Sequence, residues 1–91
     1  MRELDVVLRA GETRTETIPI NKSESKLTIL PFKVSAENVY IVLKFPADLK
    51  KYIRLYETGM DKKIDSIDLF ESFWFEYSSA EADSKIKVQV T

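Results

Sequence analysis

Cysteine and histidine are both absent from this chain of 91 residues. Without them the sequence holds no disulfide, no zinc site built on thiolate or imidazole, and no Ser-His-Asp or Cys-His catalytic set. Glycine is nearly absent too, because Gly11 and Gly59 each stand alone, and a lone glycine does not make a phosphate-binding loop. These absences predict a protein that is not an enzyme and that holds no cofactor and no metal.

A surplus of charge of either sign is also missing. The chain has 14 Lys and Arg against 15 Asp and Glu, a net charge of -1, which disfavours nucleic acid as a partner because phosphate binding needs basic residues in excess. No stretch approaches 18 uncharged apolar residues, so no membrane span is expected. Met1 to Asp5 contains two acids and no apolar run follows, which differs from a secretion signal and predicts a soluble protein in the cytoplasm or in a virion.

Apolar residues make up 44% of the sequence, enough for one hydrophobic core, and we expect a single domain over residues 1–91. They alternate with polar residues at the period of a half-buried strand. Seven to eight short strands predict an all-β fold, an antiparallel β-sandwich or small barrel. Residues 13–17 and 85–91, rich in Thr and Lys, are expected at sheet edges.

Residues 46–58 fit two structures. Pro46 in a first turn and Gly59 at a C-terminal cap favour a helix near residues 47–58 and an α+β fold. Alternation from Tyr52 to Thr58 instead favours a strand paired with residues 38–45, and the β-rich neighbours make this the preferred interpretation. Nearby, Asp61, Asp65 and Asp68 match no calcium loop, and we expect them to be solvated.

The single tryptophan lies in a strand whose inward residues are predicted to be Phe73, Phe75 and Tyr77. The alternation places Trp74 on the outer face, among polar neighbours. An exposed tryptophan there would be an anchor for a partner, because it contributes a large contact area at low entropy cost. The alternative is burial under a loop or between the layers of the sandwich, since tryptophan is highly buried on average.

A second candidate surface depends on the strand interpretation of residues 52–58. A hairpin with residues 38–45 would bring Tyr40, Tyr52, Arg54 and Tyr56 onto one outer face, suited to a protein partner or a sugar. In a helix, Tyr52 and Tyr56 would turn inward and this surface would not form.

These features favour a non-catalytic structural or assembly module that binds a protein partner or forms a homo-oligomer. Small β-sandwiches recur in viral particles, so an accessory capsid or tail component of a virion is one such module, by analogy of fold class. A carbohydrate-binding module that stacks Trp74 and the tyrosines on sugar rings is an alternative. A small nucleic-acid-binding barrel is the least favoured, because the charge is balanced.

Overall fold

The structure is a computed structural model that describes residues 1–91. Its eight strands are β1 (Arg2–Leu8), β2 (Ile18–Pro19), β3 (Lys26–Ile29), β4 (Glu37–Lys44), β5 (Lys50–Arg54), β6 (Lys62–Asp65), β7 (Ser72–Ser78) and β8 (Ser84–Val90). Two 3₁₀ turns, Pro46–Asp48 and Ile67–Leu69, are the only helical segments. The all-β prediction is confirmed. No helix has the length and apolar character needed to cross a bilayer.

The strands form two antiparallel sheets. The first sheet has the order β1-β8-β3-β6, and the second sheet has the order β2-β7-β4-β5. Strands from opposite ends of the chain pair in a nested series: β1 with β8, β2 with β7, β3 with β6 and β4 with β5. This is one long hairpin wound into two sheets, the arrangement called a jelly roll. The predicted sandwich is therefore the observed architecture.

The hydrophobic core lies between the inner faces of the two sheets. Alternate residues of each strand point into it, because successive side chains of a strand point to opposite faces. In the second sheet, the largest side chains of the core come from β7. In the first sheet, β8 supplies more fully buried side chains than any other strand. The members that are fully buried on these two strands are Phe73, Phe75, Ile86, Val88 and Val90.

The predicted edges are right for one segment and wrong for the other. Strand β8, which covers most of residues 85–91, is a central strand between β1 and β3. Its lysines face water on the outer surface of the sheet, and this pattern is the same for a central strand and an edge strand. Residues 13–17 do lie at the edge of the second sheet, where Arg14 bridges to Glu76, although regular pairing begins only at Ile18–Pro19.

The helix over residues 47–58 is wrong. The turn at Pro46 does not continue as a helix, because Ala47 and Asp48 both have a φ of 69°, in the left-handed region. Phe45 N–H donates to the Leu49 carbonyl oxygen at 2.7 Å and closes the loop. Residues 50–54 then pair with β4, because the backbone groups along that side of β4 need partners. The predicted pairing of this segment with residues 38–45 is confirmed, but the strand covers Lys50–Arg54, so it begins two residues before Tyr52 and does not reach Thr58.

Candidate partner-binding face

The β4–β5 hairpin brings four of the predicted site residues together. Tyr40 of β4 lies directly opposite Arg54 of β5, and Tyr52 lies opposite Val42. Tyr56 follows β5 by two residues, and its ring lies next to the Arg54 guanidinium. We call Tyr40, Tyr52, Arg54 and Tyr56 the tyrosine–arginine cluster. It forms on the outer face of the second sheet, where alternation predicted it.

The Arg54 guanidinium organises the cluster. Its central carbon lies 5.5 Å from the ring centre of Tyr40 and 5.3 Å from the ring centre of Tyr56. Both distances are within the range in which a cation is attracted to an aromatic face. The rings of Tyr40 and Tyr52 meet edge to face, with 6.5 Å between their centres, a favoured geometry for aromatic pairs. These contacts order the four side chains relative to one another.

Three members of the cluster are exposed to solvent, Arg54 and two of the tyrosines. Tyr52 is 52% exposed and Tyr56 is 69% exposed, although both carry large apolar rings. Exposed tyrosines that are already held by neighbouring side chains lose little entropy when a partner covers them. The cluster is therefore the part of the second sheet that is accessible for binding.

Trp74 differs from the cluster, although it lies on the same outer face. It pairs with Val42 of β4, and neither residue belongs to the core between the sheets. Its exposure is only 4%. The prediction of an outer-face position is correct, but Trp74 offers no free surface to a partner, and its burial under a loop is the interpretation that the structure supports.

Arg14 is the residue that covers Trp74. Its guanidinium carbon lies 4.3 Å from the centre of the indole ring. The Arg14 Nη2 donates to Thr17 Oγ1 at 2.5 Å, and its Nε donates to the Thr15 carbonyl oxygen at 3.2 Å. On the other side, the indole N–H donates to Glu76 Oε2 at 2.9 Å. A buried indole thus has its ring face and its polar group both satisfied.

Thr15 fastens this covering segment to the sheet. Its backbone N–H donates to the Phe75 carbonyl oxygen at 2.9 Å, and its hydroxyl accepts from the Phe75 N–H at 3.0 Å. The hydroxyl takes the place of a backbone carbonyl, so the segment stays bonded although it is not a regular strand. The sequence reasoning missed the role of Arg14. The only indication of this role in the sequence is alternation: in an extended segment, Arg14 points to the face opposite that of Thr13 and Thr15.

A cleft of about 430 Å³ lies on the outer face between the Arg14 segment and the tyrosine–arginine cluster. Tyr40 forms one wall and Arg14 forms the opposite wall, with Glu76 and Asn38 between them. Its volume is within the range of ligand-binding clefts. Because Tyr40 belongs both to the cleft and to the cluster, the two are continuous and a side chain of a partner can enter the cleft.

Tyr77 and a set of three aspartates are the other groups that could carry chemistry. Burial raises the pKa of Tyr77, whose hydroxyl donates to the Arg9 carbonyl oxygen at 3.0 Å. Tyr77 belongs to the core between the sheets, where this bond satisfies its polar group. The structure contains no group of three or more His, Cys, Asp or Glu residues placed to hold a metal ion. The three aspartates Asp61, Asp65 and Asp68 therefore do not form a cluster of metal ligands.

No protein-family model matches the sequence, and no curated protein shows significant similarity to it. The geometry of the outer face is therefore the basis for a functional proposal. That face offers ordered aromatic rings, a guanidinium and an adjoining cleft, which are groups suited to binding.

Proposed function

We propose that this protein is a non-catalytic binding and assembly module that holds a protein partner on the tyrosine–arginine cluster. The observation that carries the proposal is the exposure of Tyr52 and Tyr56 while Arg54 keeps Tyr40 and Tyr56 in place. Tyrosine and arginine are enriched among the residues that contribute most to protein interfaces. The absence of His and Cys from the sequence supports a role without catalysis.

The charges around the cluster favour an acidic partner. Lys44 is paired with Glu71 at 2.6 Å, and Glu76 accepts from the Trp74 indole, so these acids are already engaged. Lys50 of β5 lies on the same outer face as Tyr52 and Arg54, is exposed and forms no ion pair. A partner segment with carboxylates beside an aromatic or apolar residue would complement both the cations and the rings.

An accessory capsid or tail component of a virion is one setting for such a module. This part of the proposal is supported by fold class alone, because jelly rolls recur in viral capsids and also in other proteins. The cluster itself is compatible with any partner of the stated chemistry.

Carbohydrate binding is the second candidate. It is favoured by the exposed rings of Tyr52 and Tyr56 beside a cleft, and by the recurrence of jelly rolls among lectins. The burial of Trp74 weakens it, since the largest ring of the chain cannot stack on a sugar. The nucleic-acid alternative has no comparable support, because the net charge is -1.

The test is a selection of phage-displayed random peptides on the immobilised protein. We expect acidic peptides with an aromatic residue, whose synthetic versions bind the wild type and lose about tenfold or more in affinity for the double variant Tyr52→Ala/Tyr56→Ala. Leu69→Ala is the matched control, because it removes another exposed apolar side chain, 60% exposed in the Ile67–Leu69 turn and outside the cluster.

Equal binding of the selected peptides to the wild type and to the double variant would contradict the proposal. The wild type, the double variant and the Leu69→Ala variant are then applied to a glycan array. A glycan that binds the wild type and the Leu69→Ala variant, but not the double variant, would establish the carbohydrate candidate in place of the protein partner.

A further inference from the structure

The two sheets have four edge strands, and three of them carry features that prevent pairing with another chain. Strand β2 has only two residues, and Pro19 has no N–H to donate. Strand β5 carries Lys50 and Lys51, and strand β6 has four residues that include Lys62 and Lys63. Short length, proline and lysine are the usual means by which proteins block edge pairing.

Strand β1 is the exception. It has seven residues, with no proline, no lysine and no bulge. It pairs with β8 along its whole length on one side only, and none of the backbone hydrogen bonds formed by the loops involves a residue of β1. A cleft of about 250 Å³, lined in part by Leu4, Val6 and Ile18, leaves space beside this edge. Its outward-facing backbone groups are therefore available to another strand.

The sequence around β1 is complementary to a second copy of itself. An antiparallel pair with a two-fold axis at Val6 aligns Leu4 with Leu8 and Asp5 with Val7, so that inner residues meet inner residues. The same register places Glu3 opposite Arg9, which is exposed just after the strand. Axes at Leu4 or Asp5 would instead bring acids opposite acids, which is unfavourable. An axis at Val7 would pair Asp5 with Arg9 but would leave Glu3 opposite Gly11, without a cation and beyond the end of the partner's strand.

We propose that two copies of this chain associate through their β1 edges, antiparallel about Val6, and thereby join two first sheets into one sheet of eight strands. The interface uses backbone hydrogen bonds between the edges and two symmetric Glu3–Arg9 pairs. It is separate from the tyrosine–arginine cluster, which lies on the other sheet, so this proposal stands or fails independently of the proposed function.

The test is a charge exchange, measured by sedimentation equilibrium over a concentration series. Glu3→Arg places Arg against Arg, and Arg9→Glu places Glu against Glu, so each single variant should weaken the dimer by about tenfold or more. The double variant Glu3→Arg/Arg9→Glu restores opposite charges and should recover the dimer. Both residues are exposed, and the substitutions remove only a surface hydrogen bond from Gln89 to Glu3 and a 3.8 Å ion pair of Arg9 with Asp83, so the fold should be retained. Glu81→Arg, an exposed residue outside the edge, controls for net charge.

Hydrogen exchange supplies a second measurement. The amides of β1 should become more protected as the wild type is concentrated, whereas the amides of β5 and β6 should not change. Three outcomes would overturn the proposal: a wild type that stays monomeric at every concentration, a dimer that the single variants leave unchanged, or a dimer that the double variant fails to restore. A dimer lost in Tyr52→Ala/Tyr56→Ala but not in Glu3→Arg would place self-association on the cluster instead.

Discussion

The outer faces of the two sheets differ, although their inner faces follow the same alternation. On the first sheet, opposite charges face each other across neighbouring strands, as in Asp5 with Lys87 and Lys26 with Asp65. On the second sheet, Trp74 pairs with Val42, and both are buried outside the main core. The outer face of the first sheet is thus exposed to solvent. The outer face of the second sheet carries a second, smaller apolar layer under the Arg14 segment.

This difference shows that the outer face of a sheet need not be a solvent face. The first sheet is stable with a polar outside because its inner face alone buries the apolar residues. The second sheet places part of its apolar area outside, where a loop covers Trp74 and nothing in the chain covers Tyr52 and Tyr56. The part of the outer face that Arg14 covers is therefore buried, whereas the neighbouring part with Tyr52 and Tyr56 is exposed.

Among the variants that test this difference between the two outer faces, Trp74→Ala should cause the largest loss in the free energy of unfolding. Removing a buried aromatic side chain costs about 3–5 kcal/mol in the free energy of unfolding, and Phe75→Ala on the inner face should cost a similar amount. Gln89→Ala, on the polar face of β8, should change it by less than about 0.5 kcal/mol. Urea denaturation measures all three. A loss below about 1 kcal/mol for Trp74→Ala would mean that the outer layer contributes little to stability.

Arg14→Ala should produce the next largest effect. It removes the exposed cation and the aliphatic stem that cover the indole, at a cost of about 1–2 kcal/mol. The emission of Trp74, the only tryptophan, should move to the red and become accessible to acrylamide. Lys33→Ala is the matched control, because Lys33 is an exposed cation that forms no ion pair. An unchanged emission maximum in Arg14→Ala would show that another group covers the ring.

Tyr77→Phe should cost about 1 kcal/mol at neutral pH, because it removes the hydrogen bond to the Arg9 carbonyl oxygen. Burial raises the pKa of Tyr77 in the folded state. Its stabilising effect is therefore fully present below the unfolded pKa of about 10 and is lost as the pH rises through the folded pKa. The free energy of unfolding should fall less steeply above pH 10 in Tyr77→Phe than in the wild type, and equal slopes would contradict this assignment.

Tyr52→Ala and Tyr56→Ala should produce the smallest effects on stability. Both side chains are more than half exposed, so each change should alter the free energy of unfolding by about 0.5 kcal/mol or less. Thermal or urea unfolding checks this expectation. A larger loss in the free energy of unfolding would mean that the cluster stabilises the second sheet. Its tyrosines would then not differ from Trp74 in their contribution to stability.

The directions of the strand residues could be predicted, because they depend only on local alternation. Phe73 and Phe75 point inward, and Tyr40 and Trp74 point outward, as the sequence predicts. Which strands lie next to one another in a sheet could not be predicted from local alternation. Lysines at alternate positions of β8 are compatible with an edge or a central strand, and only its pairing with both β1 and β3 decides between them.

The exposure of Trp74 could not be predicted for a related reason. Its cover comes from Arg14, which is sixty positions away in the sequence and is held by Thr15 against β7. Strand β6 could not be predicted from the sequence, because Ile64 is its only buried residue and residues 62–65 have the composition of a turn. The tyrosine–arginine cluster was predicted correctly because its residues come from one hairpin, in which local alternation fixes both strands.

The nested pairing of the strands has a consequence for the order in which the chain folds. The β4–β5 hairpin closes a short loop, whereas β1 and β8 come from opposite ends of the chain, and the entropy cost of closure rises with the length of the loop. We expect pairing to spread outward from the hairpin, with slow folding, of the order of milliseconds to seconds, as in other proteins with mostly non-local contacts. The hairpin that carries the tyrosine–arginine cluster would then form early, and the sheet that contains β1 would be completed last.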